Sequence, residues 1–143
     1  MNKSGLSDEI LTVLKKRPLA KVRVMYWKEI PVQVQAQDAD GDNTVSKPLD
    51  GRFQQGVDAI SMFDGSSGTD DYLDGWDWGE FQVVEGSPQE AAAQVAARYE
   101  QCFPPDFVAR IRGLHRDGTR DPLPGAVDHW LDEAEPTLDN GAG

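Results

Sequence analysis

Alternating apolar and polar side chains near the start of the chain predict a β-hairpin. Residues 21–27 are rich in β-branched and aromatic side chains, and residues 32–37 alternate strictly between apolar and polar positions, as a half-buried strand does. Because only four residues separate these runs, we expect an antiparallel pair of strands joined by a tight turn. Pro31 has no backbone N–H to donate, so it belongs at the start of the second strand.

Apolar side chains at helical spacing predict most of the remaining elements. The clearest signal is a capping box at Ser87 and Glu90, with Pro88 at the first helical position. Residues 38–48 are expected to form a loop, and Thr69 is expected to cap a short helical turn. The other expected helices are residues 6–17, a helix that follows the cap Asp50 and ends at Phe63, residues 88–102, residues 107–116 and a turn around residues 127–131.

Residues 78–84 alternate as a third strand, in which we expect Phe81 and Val83 to face inward. The resulting order, α-ββ-α-β-α-α, defines the fold class as α+β. We expect two layers, in which helices cover a small, mainly antiparallel sheet made of the hairpin and this later strand. The expected organisation is an N-terminal helical extension at residues 1–18, an α+β domain at residues 19–103, and a C-terminal helical extension with a flexible tail at residues 104–143.

Charge is distributed unevenly along the 143 residues and narrows the function classes. The chain has 25 Asp and Glu against 14 Lys and Arg, a net charge of −11, which repels polyanions and argues against a general nucleic-acid binder. Residues 1–37 have a net charge of +4, whereas residues 38–100 have one of −11. The basic segment either orients the protein toward a partner or attracts the acidic region within the fold.

The compartment is indicated by one cysteine and by the absence of long apolar runs. No stretch approaches the roughly 20 apolar residues of a membrane span, so we expect no membrane association. A single cysteine, Cys102, cannot form an intrachain disulfide, and a reducing cytosol is the natural location for such a chain. Cys102 lies on the apolar stripe of its helix, which favours a buried, inert thiol over a nucleophile.

Two acidic segments are candidate binding sites, one for calcium and one for a sugar, but neither has all the residues that such a site needs. The loop at residues 38–43 alternates aspartates like a calcium loop, but Asn43 and Leu49 stand where that loop needs Gly and a bidentate Glu. Carboxylates around Trp76 and Trp78 could line a sugar-binding cleft, but their spacing is only local. Solvated acidic turns are the preferred interpretation of both. The sequence therefore predicts no catalytic residue, no metal and no cofactor.

Three motifs follow one another along the chain. They are Tyr26-Trp27-Lys28-Glu29-Ile30-Pro31-Val32-Gln33-Val34, Arg52-Phe53-Gln54-Gln55-Gly56-Val57-Asp58 and Asp70-Asp71-Tyr72-Leu73-Asp74-Gly75-Trp76. Together they resemble a small bacterial family labelled virulence factor, over about residues 21–100. The departures are the acidic loop at residues 38–42, where basic residues are expected, and Gly56, where alanine is expected. The resemblance implies no reaction or cofactor, and it suggests an accessory role linked to one-carbon (folate) enzymes.

The leading hypothesis is a cytosolic accessory or protein-interaction module without catalysis of its own. The candidate partner-binding segment is the hairpin turn made of Trp27, Lys28, Glu29, Ile30 and Pro31. It combines an aromatic, an aliphatic and two opposite charges, a mixture typical of interface anchors. The same residues also fit a structural role, with Trp27 and Ile30 in the core and only the charged pair exposed.

The alternative hypothesis is a small enzyme or ligand-binding subunit that handles an anionic metabolite. Arg52 lies in the first turn of its helix, where the electropositive helix end also favours an anion. With Lys28 it would hold the anion against Tyr26 and Trp27. The structural interpretation of Arg52 is an ion pair with Asp50 or another surface acid. The sequence leaves the identity of the partner or ligand and the oligomeric state open.

Overall fold

The predicted hairpin lies at the centre of a five-stranded antiparallel sheet in the computed structural model, which describes residues 18–134. The strands are β1 (Leu19–Trp27), β2 (Ile30–Asp38), β3 (Thr44–Pro48), β4 (Trp76–Trp78) and β5 (Gln82–Glu85). The helices are α1 (Gly51–Phe63), α2 (Asp70–Asp74), α3 (Pro88–Cys102), α4 (Phe107–Asp117), a 3-10 helix (Asp128–Trp130) and α5 (Leu131–Ala134). The α+β class is confirmed; the helix predicted at residues 6–17 lies outside the described residues.

Strand β1 pairs with three of the other four strands of the sheet. It pairs with β2 on one side, and β3 continues the sheet beyond β2. On its other side β1 pairs first with β5, through Leu19–Val22, and then with β4, through Met25–Trp27. All of these pairings are antiparallel.

Local capping chemistry sets the helix ends that the sequence predicts. The side chain of Asp50 accepts a hydrogen bond from the Arg52 N–H, and the capping box of Ser87 and Glu90 is complete at the start of α3. Helix α4 ends where Gly118 adopts a φ of 76°, a left-handed conformation that glycine adopts without steric cost. Thr69 does precede α2, but its hydroxyl donates to the Ser66 carbonyl at 2.7 Å instead of capping the helix.

Three predictions about strands are wrong. The loop at residues 38–48 contains β3, whose short polar run becomes a strand by pairing with the edge of β2. The single strand at residues 78–84 is two strands, interrupted where the Gly79 N–H donates to the Val24 carbonyl at 2.8 Å. Pairing with β1 also sets the inward face of β5, so that Val84 lies beside buried Ala20, and Val83 and Phe81 are exposed.

One hydrophobic core includes side chains from the hairpin, from α1 and α3, and from the segment after residue 103. Phe107 in α4 lies 5.3 Å from Phe103, and Trp130 lies 6.1 Å from it, between ring centres. Side chains from both sides of the expected boundary at residues 103–104 thus pack in this core, and the domain organisation stays a prediction. Within the part of the chain that is described, no helix is long and apolar enough to cross a bilayer.

Candidate functional site

The hairpin turn that is the predicted partner-binding segment is largely buried. Trp27, Glu29 and Ile30 have no exposed surface, and Pro31 has less than 2%. Lys28 is the exception, although only 12% of its side chain is exposed. The core interpretation of Trp27 and Ile30 is correct, but the expectation that Glu29 is exposed is wrong. Partner binding by this turn stays a prediction, and it has only Lys28 to offer as surface.

Glu29 is buried because Arg120 neutralises it. Arg120 Nε lies 2.6 Å from Glu29 Oε2 and Nη2 lies 2.8 Å from Oε1, a bidentate pair. The remaining Arg120 nitrogen, Nη1, donates to Asp64 Oδ2 at 3.0 Å. Taking two charges out of water is costly unless the geometry is good and the remaining hydrogen bonds are made, and both conditions are met here. This pair closes the hairpin turn against the segment that follows α4.

Lys28 belongs to the same group of charges, and its own backbone is strained. Its φ is 51°, in the left-handed region that is unfavourable for a side chain with a Cβ. Its Nζ lies 3.0 Å from Asp64 Oδ2 and 2.8 Å from Asp71 Oδ2. We call Lys28, Glu29, Asp64, Asp71 and Arg120 the turn ion network. Burial alone would raise the pKa of Asp64, but hydrogen bonds from Ser66, Lys28 and Arg120 outweigh it and lower this pKa to about 2.

The turn ion network borders a shallow pocket of about 460 Å³, which His115 also lines. Within the network, two cations face three carboxylates at hydrogen-bonding distances. Because each cation is already neutralised, the pocket offers a ligand anion little free positive charge. The turn ion network therefore fits a structural role, in which its ion pairs hold the hairpin turn in place.

Arg52, the predicted anion ligand, closes the end of a helix. Its guanidinium donates to the carbonyl oxygens of Glu100 and Phe103 at 3.2 and 3.0 Å, where the last carbonyls of α3 lack helical partners. It also donates at 3.3 Å to the Pro104 carbonyl, which accepts the Phe107 N–H as well. It also lies 3.6 Å from Asp50, as the structural interpretation expects. Arg52 and Lys28 are thus both engaged by oxygens of this chain. Lys28 Nζ does lie 4.9 Å from the Trp27 ring centre. Arg52 instead contacts the end of α3, and the Tyr26 hydroxyl contacts Asp128, so the four side chains belong to separate groups.

Tyr26 belongs to a different group, which we call the tyrosine–aspartate cluster: Tyr26, Tyr99 and Asp128. The hydroxyl groups of Tyr26 and Tyr99 donate to Asp128 Oδ2 at 2.5 and 2.6 Å, and their oxygens lie 3.0 Å apart. Burial and the neighbouring Asp128 carboxylate raise the pKa of both tyrosines. Both phenols therefore stay protonated at neutral pH and act as hydrogen-bond donors.

The tyrosine–aspartate cluster lies in a cleft of about 630 Å³, a volume usual for small-molecule sites. The cleft lies between β1, α3 and the segment at residues 124–132. Gly79 permits close packing here, because a Cβ at this position would lie 2.9 Å from the Tyr26 ring. Polar groups from three distant parts of the chain thus meet at one apolar wall. Sequence patterns give no signal for this convergence.

A stack of basic and aromatic side chains covers part of the sheet. We define the open sheet face as Lys21, Arg23, Trp78, Phe81 and Val83. The Arg23 guanidinium lies 4.0 Å from the Trp78 ring centre and 4.6 Å from that of Phe81, and Arg23 donates to Gln35 at 2.8 Å. The β1 residues of this face alternate with the buried residues of β1, against which α3 packs. Val83 is 69% exposed and Phe81 40%, so apolar surface is accessible here.

Among the other candidates from the sequence, Trp78 belongs to the open sheet face defined above. In the loop at residues 38–43, the Asp42 N–H donates to Asp38 Oδ1 at 2.8 Å, and its role as an acidic, solvated connection stays a prediction. Across residues 18–134, no three His, Cys, Asp or Glu side chains form a metal-binding group. Trp76 and Trp78 lie in β4 and pair with β1. Cys102 is half-buried and packs against the core.

The fold and these sites define a small α+β protein, built on one antiparallel sheet with two buried polar clusters. Residues 25–111 match the sequence model of the family described as Virulence factor, and the chain belongs to that family. This match confirms the resemblance carried by the three motifs. No curated protein and no solved structure matches the chain. The family match ends within α4, so Arg120 and Asp128 lie beyond it.

Proposed function

We propose that this protein is a non-catalytic accessory module that binds a partner protein through the open sheet face. The observation that supports this function is the Arg23 guanidinium held between the rings of Trp78 and Phe81. Arg and aromatic side chains are enriched where protein interfaces are most buried. Because Arg23 is already held in place, less side-chain entropy is lost when a partner binds. The family resemblance, which implies no reaction, agrees with a binding role.

We expect the partner to have an acidic surface around an apolar centre, because such a surface complements the open sheet face. Lys21 and Arg23 place two positive charges on one face of a protein whose net charge is −11. Carboxylates of a partner are attracted to this face, whereas the acidic remainder of the molecule repels them and disfavours other orientations. Exposed Val83 and Phe81 supply apolar surface to bury beside these charges. We place this partner in the cytosol, which suits the lone Cys102.

Site-specific crosslinking in the native host tests where a partner binds. A photo-reactive phenylalanine analogue is placed at Val83 on the open sheet face, and at Met62 on α1 as a control of similar exposure. We expect a discrete crosslinked protein from position 83 and not from position 62. The crosslinked protein is then purified and its binding to this protein measured by calorimetry. Crosslinks from position 62 alone, or none from position 83, count against the proposal.

A matched pair of charge reversals tests the role of Arg23 in that complex. Arg23→Glu removes the stacked guanidinium, and Arg110→Glu makes the same charge change on α4, where Arg110 pairs with Asp106 and Glu133. We expect Arg23→Glu to weaken binding about tenfold or more and Arg110→Glu to change it little. Near-ultraviolet circular dichroism checks that both variants are folded. Equal losses for the two variants would contradict the proposed surface.

A further inference from the structure

The tyrosine–aspartate cluster has more hydrogen-bond acceptors than donors. Tyr26 and Tyr99 each have one hydroxyl proton, and both protons are donated to Asp128 Oδ2. The contact of 3.0 Å between the two hydroxyl oxygens therefore has no proton to share. Asp128 Oδ1 is buried and accepts no hydrogen bond from the residues that the structure describes. A buried acceptor without a donor is costly, so a donor that enters the cleft and displaces the side chains over this oxygen would stabilise the cluster.

The two cations that line the cleft, Arg23 and Arg98, are already held by other residues of this chain. Arg98 pairs with Asp132 at 3.0 Å, and Arg23 donates to Gln35 and stacks on the open sheet face. The charged residues that line the cleft are Arg23, Arg98, Glu80, Asp128 and Asp132, a formal total of −1. Both tyrosine hydroxyls donate to Asp128 Oδ2, so this oxygen acts as an acceptor in the cleft. The electrostatics of the cleft therefore favour a cation over an anion.

The shape of the cleft selects among cations. Its volume of about 630 Å³ is far larger than a metal ion needs, and Val24, Val95 and Leu131 supply apolar wall beside the polar floor. Gly125 lies next to the cluster, where an added Cβ would be 3.9 Å from the Tyr26 hydroxyl. The absence of a side chain leaves an approach to the cluster at that point.

We propose that this cleft binds a small organic amine, whose ammonium group donates to Asp128 and to the hydroxyl oxygens of Tyr26 and Tyr99. The apolar body of the amine packs against Val24 and Val95. An ammonium group carries three donors and no acceptor, which complements a cluster with surplus acceptors. Arg23 borders both the cleft and the partner surface proposed above, but the groups proposed to bind the amine, Asp128, Tyr26 and Tyr99, lie outside the open sheet face, so either proposal can fail without the other.

Three probes of one shape test the ligand class: benzylamine, benzyl alcohol and benzoate. Each is titrated into the full-length protein, and amide chemical shifts are followed by two-dimensional NMR. We expect benzylamine to give saturable shifts at Tyr99, Gly125 and Asp128, with Gly68 unchanged. Benzyl alcohol should bind about tenfold more weakly, because a neutral donor gains less from a carboxylate, and benzoate should not bind. Benzoate binding as tightly as benzylamine, or benzylamine shifts that are absent or lie elsewhere, would overturn the proposal.

A pair of matched substitutions tests the role of Asp128. Asp128→Asn keeps the shape of the side chain and an oxygen that accepts the tyrosine protons, but it removes the charge. Glu80→Gln removes the same charge from an exposed position of the cleft. We expect Asp128→Asn to weaken benzylamine binding about tenfold or more and Glu80→Gln to change it by less than about threefold. Unchanged binding by a folded Asp128→Asn would reject the site; if that variant does not fold, the ranking of the three probes on the natural protein decides.

Discussion

Arg120 and Glu29 form a buried bidentate ion pair across 91 residues of chain. Only 6% of the Arg120 side chain and none of that of Glu29 are exposed. The planar guanidinium of Arg120 matches the two carboxylate oxygens of Glu29, and its remaining nitrogen, Nη1, donates to Asp64. The pair thus fixes the hairpin turn to a segment that lies beyond the family match. Stability of the turn depends on residues that the family sequence pattern does not include.

Substitution of Arg120 alone should lower the free energy of unfolding far more than simultaneous substitution of Arg120 and Glu29. Arg120→Met leaves the Glu29 carboxylate buried without a partner, and we expect the free energy of unfolding to fall by about 3 to 5 kcal/mol. The double variant Glu29→Met with Arg120→Met removes the uncompensated charge and should recover much of this loss. Urea unfolding measures both, with Arg110→Met, an exposed ion-pair residue, expected to cost under about 1 kcal/mol. A double variant less stable than Arg120→Met contradicts this account.

The strained backbone at Lys28 gives a second prediction. Both Lys28→Ala and Lys28→Gly remove the ion pairs with Asp64 and Asp71, but only glycine adopts a φ of 51° without steric cost. We expect Lys28→Gly to be more stable than Lys28→Ala by about 1 to 2 kcal/mol. The difference is measured as the change in urea midpoint between the two variants. Equal stability would show that Lys28 is not strained in the folded protein.

Features that depend on neighbours in sequence could be predicted, and features that depend on distant pairing could not. The caps at Asp50 and Ser87 were predictable because each side chain bonds to backbone within three residues of it. Strand β3 is short and polar, and it exists only because β2 offers an edge. The orientation of Val83 is set by its pairing with Lys21 in β1. Alternation alone cannot fix which face of a strand is buried when the pairing is unknown.

The same limit applies to the candidate sites. The chain pattern marked Trp27 and Glu29 as unusual, but the partner that buries Glu29 lies 91 residues away. The Tyr99 hydroxyl donates to Asp128, 29 residues further along the chain, which no local pattern singles out. The alternative hypothesis assigned Arg52 to an anion at the start of α1, and its structural interpretation assigned it to Asp50; no local pattern indicates the carbonyl oxygens at the end of α3 to which it donates. Each of these partners is set by tertiary packing.

Asp64 should make the protein less stable in acid. Its folded-state pKa of about 2 lies below the ordinary value of 3.8, so its contribution is present above pH 4 and is lost as the pH falls toward 2. The size of this contribution is about 2 kcal/mol. Urea unfolding between pH 5 and pH 2 should show a shallower loss for Asp64→Asn than for the natural protein. Ser66→Ala, which removes one hydrogen bond to Asp64, should lie between them, and identical pH slopes for all three would refute the assignment.

Gly56, which stands where the family resemblance leads one to expect alanine, should not tolerate that alanine. A Cβ at Gly56 would lie 2.4 and 2.5 Å from two ring carbons of Phe107, and this ring is fully buried and stacks on Phe53. Because the ring has no space to retreat, we expect Gly56→Ala to lower the free energy of unfolding by about 1 to 3 kcal/mol. Gly113→Ala is the matched control, since nothing lies within 4 Å of its added Cβ in α4; it should raise stability by about 0.5 to 1 kcal/mol. Thermal and urea unfolding compare the two, and a stabilising Gly56→Ala would mean that α1 and α4 do not pack this closely.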